Sequence, residues 1–367
     1  MAPPKPGVIP LRPLNLGEVL DGAFQAARRN GKAMFGSAVI FQVVAAAVTL
    51  VVMAVGFGQV GLSLMNGGYF AEASSEPSAE ALDSLLGSVL PVLAGLVVVQ
   101  FLSVLAQMVL QGALVIPVLR ATLNRTTSFG QMWRLARPRV PSLLGLALLY
   151  TAAGLVAMAL YGGILVGIIF AVGGVNSGGG ALAAVGLGIL LSLPFLAAGI
   201  WVSIKLLLAP AAIVCENLGV VAALKRSWQL TQQNWWRTFG ITALAAVIAS
   251  VIAGIVSAPV GILLSLLVPL MVPNPGTEQV LTQMWITQGI SGLVGALVGA
   301  VTLAFQSGVM ALIYVDLRMR RDGFDVILLK EAESGTDDGA IPGNVPASPS
   351  SAAGFSGPYP PAGYPGA

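Results

Sequence analysis

Histidine is absent from this sequence and cysteine occurs once, as Cys215. No disulfide can close within one chain, no Cys/His metal cluster can assemble, and catalytic triads that need an imidazole are excluded. Charge is scarce as well. Asp, Glu, Lys and Arg make up 9% of the chain against 56% hydrophobic residues, and the mean hydropathy is +0.88. A soluble domain carries roughly 25% charged residues, so this chain has too few to cover a surface facing water. The pI near 9.2 does not mean nucleic-acid binding, because the cations follow membrane topology.

Several apolar runs exceed the ~20 residues that cross ~30 Å of hydrocarbon as a helix. The expected fold is all-α, a polytopic membrane helix bundle. Its six transmembrane helices lie at about 33–57, 87–119, 143–172, 181–208, 238–258 and 290–314, with cytoplasmic interfacial amphipathic helices. Residues 1–13 read as a Pro-rich cytoplasmic N-terminus, 14–332 as the membrane domain, and 333–367 as a disordered Pro/Gly/Ser-rich cytoplasmic tail. The run Ala33 to Phe57 is too long for a signal peptide, and the Arg28-Arg29 pair before it reads as an inside anchor. Pro91 and Pro117 are expected to bend the second span or mark its ends. Residues 259–272, which contain Pro259, read as a kinked continuation of the fifth span or as a separate re-entrant segment.

Three polar stretches precede apolar runs. In the first, Asn15 and Glu18 form a capping box, with Leu16, Val19, Leu20, Ala23, Phe24 and Ala27 on one face. In the second, Ser128 and Gln131 form another, followed by Phe129, Met132, Trp133 and Ala136 on one side and Pro138 as the stop. The third, Glu216 to Gly240, is the hinge between two long apolar runs. As one helix it places Val221, Leu224, Trp228, Thr231 and Trp235 together, and Lys225, Arg226, Gln229 and Gln233 elsewhere. That layout suits a helix flat on a membrane surface.

With six spans and both ends inside, all 18 Lys and Arg residues fall in cytoplasmic segments, while Glu72, Glu76, Glu80, Asp83 and Glu278 fall outside. The positive-inside rule then has no exception. A weak threefold pattern of surface helix, cations and helical hairpin accompanies this placement. It reflects either three parallel repeats or convergent membrane-surface chemistry.

The segments LRPLNLGEVLDGAFQAARRN, APAAIVCENLGVVAALKRSWQLTQQNWWRTFG and LIYVDLRMRRDG resemble actinobacterial proteins of the glycerophosphoryl diester phosphodiesterase membrane domain family. The likeness covers roughly Leu11 to Leu329. It implies association with lipid-headgroup metabolism, since some relatives fuse this domain to a phosphodiesterase barrel. That barrel uses histidines with acidic metal ligands. The resemblance therefore implies the membrane domain without phosphodiesterase activity, and no functional residue is carried over.

Candidate anionic-lipid contacts are Arg28, Arg29, Lys32, Arg134, Arg137, Arg139, Lys225, Arg226 and Arg237. Lys205 is the only cation inside a span, where snorkelling to the interface competes with a substrate role. Glu216 is the acid to test first, against charge compensation at the hinge; Glu18 and Asp21 read as capping residues. Gln42, Gln100, Gln107, Gln111 and Gln306 either line a path or bond between helices, and Gly163-x-x-x-Gly167 and Gly295-x-x-x-Gly299 read as packing faces. Trp133, Trp228, Trp235 and Trp236 read as an inner aromatic belt and Trp285 as an outer one. No catalytic, cofactor or metal site is expected. The expected partners are inner-leaflet lipids of a bacterial plasma membrane and a membrane protein, not nucleic acid. Three readings follow: a non-catalytic membrane module that organises lipids or partners, a small transporter or permease subunit, and an intramembrane lipid-modifying enzyme.

Overall fold

Long runs of Ala, Val, Leu and Ile satisfy their backbone internally, and each becomes a helix. The structure, a computed structural model, describes residues 6–66, 79–172, 178–271, 276–334, 337 and 339–343. Every regular element among them is helical: α1 (Leu16–Arg29), α2 (Gly31–Asn66), α3 (Ala79–Thr122), α4 (Phe129–Ala136), a 3-10 turn (Arg137–Arg139), α5 (Val140–Ala171), α6 (Gly178–Leu206), α7 (Ala209–Glu216), α8 (Val220–Thr231), α9 (Trp235–Met271), α10 (Thr277–Asp322) and α11 (Phe324–Glu333). Six stretches are long and apolar enough to cross a membrane, in the number and order that the sequence predicts: Gly31–Gly56, Leu86–Thr122, Phe129–Ala171, Ala183–Glu216, Trp235–Leu270 and Thr282–Asp322. The protein is an all-α polytopic membrane bundle.

α10 is its pillar. The most apolar window of this helix is 61% buried, against 6% or less in the other five, and it packs on α1, α2, α3 and α9. The hairpin α5–α6 and the outer face of α9 leave residues such as Leu155, Met158, Leu190, Ile255 and Leu270 exposed, which only a lipid solvent accommodates. Gly112 meets Leu143 across α3–α5, and Gly308 meets Ala23 across α10–α1, at spacings a larger residue would not fit without movement.

Several helices outrun their expected bounds. α2 continues to Asn66 and α3 begins at Ala79, so both enter the expected loop 58–84; residues 67–78 lie outside the described ones. Pro91 and Pro117 both sit inside α3. α9 is a single helix through Pro259, so residues 259–271 continue the fifth span and are not a separate re-entrant segment; its 37 residues give about 55 Å. A Cβ added at Gly163, Gly167 or Gly295 would meet nothing within 4 Å among the described residues, while one at Gly299 would meet the Gln42 side chain.

The surface helices bury part of their expected faces and leave the bulkiest members outside. α1 buries Val19, Gly22, Ala23, Ala26 and Ala27, leaving Leu16 and Phe24 outside. α4 buries Met132 and Ala136, with Phe129 exposed. α8 buries Ala223, Ser227, Leu230 and Thr231 while Val221 and Trp228 point outward. One physical reason covers all three. Small residues let a short helix lie close to the bundle, and the bulky apolar ones on its flank remain for the bilayer. The Asn15/Glu18 capping box is complete, but Ser128 only accepts from the Gln131 N–H; the Gln131 side chain donates instead to the Gly339 carbonyl.

That last bond belongs to a strap inside the expected tail. Arg120, buried at the end of α3, donates to Asp337 and to the Ala340 carbonyl, both at 2.8 Å. Arg125 pairs with Glu331 at 2.7 Å, and Glu331 accepts the Gly343 N–H at 2.9 Å. Ile341 is buried, and Gly343 (φ 70°) lies so close to the Phe324 ring that a Cβ there would collide. Residues 339–343 are therefore packed structure rather than tail. Partial burial pushes the Asp337 carboxyl up, but the Gly339 N–H, Arg120 and Arg125 outweigh it and hold the group below its ordinary 3.8. A carboxyl depressed on folding stabilises the strap fully above its unfolded value, and that contribution is lost as pH falls through the lowered one. We expect protease protection of residues 334–343 to hold at about pH 6 and to fall by about pH 2, with Asp337→Asn unprotected at both. Equal protection of the two proteins at both pH values would show that the strap holds without the Asp337 carboxylate.

Candidate functional site

Polar contacts tie the surface stretches to one another and to α10: Leu14 reaches Asp316, Arg29 reaches Asn124 and Asn30 reaches Thr127, and these junctions form a basic layer. The N-terminal segment threads into it with Ile9, Leu11 and Leu14 buried, and the Val8 N–H donates to the Ala121 carbonyl at 3.1 Å. Asp316 of α10, 1% exposed, closes the layer. Its carboxylate accepts from the Leu14 N–H (2.7 Å), Arg237 Nε (3.2 Å) and Arg320 Nε (3.0 Å). Both arginines also donate to the Leu14 carbonyl. Asn30 makes a parallel junction, accepting the Thr127 N–H and donating to the Pro117 carbonyl.

A broken helix builds the centre of the site. Pro210 has no N–H to give the Leu206 carbonyl four residues back, and the chain turns at Leu207–Leu208 between α6 and α7. Side chains take up the groups that the break frees. Tyr150 Oη donates to the Leu206 carbonyl at 2.8 Å, Ser227 Oγ donates to the Lys205 carbonyl at 2.7 Å, and the same Ser227 Oγ accepts the Leu208 N–H at 3.1 Å. α7 beyond the break is buried from Ala209 to Cys215 and ends at Glu216, where Asn217 (φ 53°) turns the chain left-handed into α8.

Glu216 is engaged on several sides. It accepts from Arg226 Nε at 2.9 Å and from Tyr314 Oη at 2.5 Å, while Arg226 also donates to Asp322. Arg318 Nε stands 3.5 Å from Glu216 and 3.6 Å from Asp322 without hydrogen-bond alignment, and its guanidinium lies 4.0 Å over the Phe324 ring. Burial pulls the Arg226 guanidinium down, but Asp322 and Glu216 outweigh it and hold it above its ordinary value. The cluster is a clamp that fastens α7 and α8 to α10; no free acid or nucleophile stands in it, since Cys215 is 2% exposed.

Of the nine candidate lipid contacts, Arg226 and Arg237 are consumed by the two clamps. Arg139 is buried on the Leu135 carbonyl, and Arg29 holds the Asn124 carbonyl. Arg28, Lys32, Arg134, Arg137 and Lys225 are exposed and make no ion pair among the described residues. Glu18 completes the α1 cap and pairs with Arg12, and Asp21 accepts from Gln25. The five glutamines make no hydrogen bond among the described residues, so interhelical bonding does not account for them. Gln111 and Gln306 do share a cavity with Thr242 and Ser307, whose hydroxyls are unbonded. Lys205 lies between two indoles beside the polar break at 232–234. It is 5% exposed, with Nζ 5.8 and 5.4 Å from the Trp201 and Trp228 ring centres. Sequence reasoning missed the break and its Ser227 patch, although Pro210 after a run of leucines marks the place.

Removing one member of a buried ion pair costs about 3–5 kcal/mol, while an exposed pair is worth about 1 kcal/mol or less. Asp316→Asn should accordingly lower thermal stability in detergent far more than Arg12→Gln, and equal shifts would remove Asp316 from its central place. Ser227→Ala strands the buried Leu208 N–H and should cost about 1–3 kcal/mol by the same measurement; an unchanged melting temperature would mean that the break needs no patch.

No curated protein and no solved structure matches this chain. One family model does, over residues 14–317, from the segment that binds Asp316 to the residue after it. By that match, the chain belongs to the family described as Domain of unknown function (DUF7847).

Proposed function

We propose that this protein is a non-catalytic, multi-pass module of a bacterial plasma membrane, with both ends of the chain cytoplasmic, that organises anionic lipids and partner proteins on the inner leaflet. One observation carries this reading. Arg28, Lys32, Arg134, Arg137 and Lys225 stand exposed without acidic partners among the described residues, while bulky apolar residues (Phe24, Phe129, Trp228) flank the same helices. Cations with free valence beside membrane-facing rings suit headgroup contact, and each adds about 1 kcal/mol near an anionic surface. The layer's inward side is bonded to itself, so its outward side is what remains for ligands. Kinship with the glycerophosphoryl diester phosphodiesterase membrane domain family is part of the proposal, and it would place the module near lipid-headgroup metabolism.

A second reading, a small transporter or permease subunit, draws on a cavity of about 650 Å³ between α3, α5, α6 and α10. It is lined by Gln111, Tyr150, Phe195 and Met310, and it shares Gln111 with the hydroxyl-bearing cavity beside it. Its test is substrate uptake by reconstituted protein.

The module reading is tested on the full chain in two ways. In a Cys215→Ser background, a membrane-impermeant thiol reagent applied to intact cells should label Ser75→Cys and spare Arg134→Cys; the reverse pattern inverts the topology. Lipids copurifying with the protein should be enriched in anionic species, and a combined Arg28→Gln, Arg134→Gln, Arg137→Gln and Lys225→Gln variant should lose that enrichment. A lipid profile equal to the bulk membrane, in the unmutated protein, would end the headgroup reading.

A further inference from the structure

A lysine ammonium held out of water is expensive unless a carboxylate or hydrogen-bond acceptor compensates it. Lys205 has neither. At 5% exposure it forms no ion pair among the described residues, and the contacts shown by its ammonium are with the faces of Trp201 and Trp228. Those rings stand edge to face, 5.3 Å apart, and Trp235 Nε1 fixes one of them by donating to the Trp201 carbonyl at 3.3 Å. Two aromatic faces offset part of the desolvation but offer the ammonium's hydrogens no acceptor, which leaves those hydrogens for a group that enters the adjoining cavity.

The ammonium lines an open cavity of about 640 Å³ where α6 meets the start of α9. The opposite wall is the break between α8 and α9, Gln232, Gln233 and Asn234, whose side chains make no hydrogen bond among the described residues. The first turn of α9, a helix of 37 residues, completes it with Trp235, Trp236 and Arg237. Free N–H groups at a helix N-terminus favour an anion, and amide side chains add neutral donors. Arg237 keeps the wall positive although Asp316 already holds its Nε. No acidic residue lines the cavity. Above it, the outward faces of α6 and α9 present Leu193, Leu196, Leu244 and Val247, an apolar surface that suits acyl chains.

We propose that this cavity is a specific site for one anionic phospholipid, with the headgroup phosphate on Lys205 and the amides of 232–234 and the acyl chains along α6 and α9. The proposal deepens the headgroup reading above and rests on it, but it concerns one cavity rather than the exposed cations of the layer. The phosphate chemistry alone also admits free phosphate, so the test separates the two sources.

The test uses the full chain purified in detergent and follows tryptophan emission, since Trp201 and Trp228 flank the ammonium. The probes are short-chain phosphatidylglycerol, short-chain phosphatidylcholine and sodium phosphate. Phosphatidylglycerol should give a saturable change, with phosphatidylcholine and phosphate each weaker by about tenfold or more. Lys205→Gln should weaken phosphatidylglycerol by about tenfold or more, and Lys205→Arg should retain binding within about threefold. Gln233→Glu, at an exposed rim position, should weaken it as Lys205→Gln does, and it stands in if the buried variant fails to fold. The combined surface variant of Arg28, Arg134, Arg137 and Lys225 should keep this saturable site while losing general lipid enrichment. A folded Lys205→Gln protein that titrates like the unmutated one, or an unchanged Gln233→Glu, overturns the proposal. Equal response to both phospholipids overturns the anionic requirement, and phosphate saturating as tightly as phosphatidylglycerol overturns the lipid assignment. Loss of enrichment with the saturable site intact leaves the two ideas separately judged.

Discussion

A single buried carboxylate, that of Asp316, sets how the ends of this bundle meet. It receives a backbone N–H from the N-terminal segment and guanidinium groups from the start of α9 and the end of α10. Burying such a group against two cations yields little net stability, because desolvation offsets most of the attraction. What it supplies is a unique arrangement. Helices in lipid slide past one another with little hydrophobic preference, and a charge that can be satisfied in one register alone removes that freedom. Glu216 does the same for α7 and α8, and Arg120 for the C-terminal strap. The basic layer is thus two populations of cations: those consumed in joining segments, and those left facing outward.

Much of this was legible in the sequence, because the rules that place helices in a bilayer are local. Run length points to six spans in the right order, and Asn15 and Glu18 point to the first cap. Faces were less legible. Hydrophobic periodicity selects bulky residues such as Leu16, Phe24 and Val221, whereas the bundle takes Gly22, Ala26 and Ala223. In water both criteria coincide; beside a membrane they separate, since an apolar flank has two places to go. Arg320 stands four residues after Asp316 on one helix, but the other partners of Asp316, Arg120 and Glu216 lie from 79 to 302 residues away or across a left-handed turn, and no spacing announces them.

Pro210 marks a break, but not that Ser227 and Tyr150 would patch it. The repair has a geometric result. Turning the chain at Leu207–Leu208 leaves Lys205 on the last turn of α6, pinned by its own carbonyl to Ser227 and bracketed by two indoles. A flexible side chain that ordinarily swings toward water is held at a fixed depth instead. The polar gap between α8 and α9 faces it because the same Ser227 and Thr231 anchor α8 on that carbonyl.

The strap has a temporal side. Arg120 leaves the ribosome 217 residues before Asp337, so the guanidinium at the end of α3 waits through most of synthesis for its acceptor. The strap can close only after residue 343 has been made, so the end of α3 takes its final contacts long after α3 itself has formed.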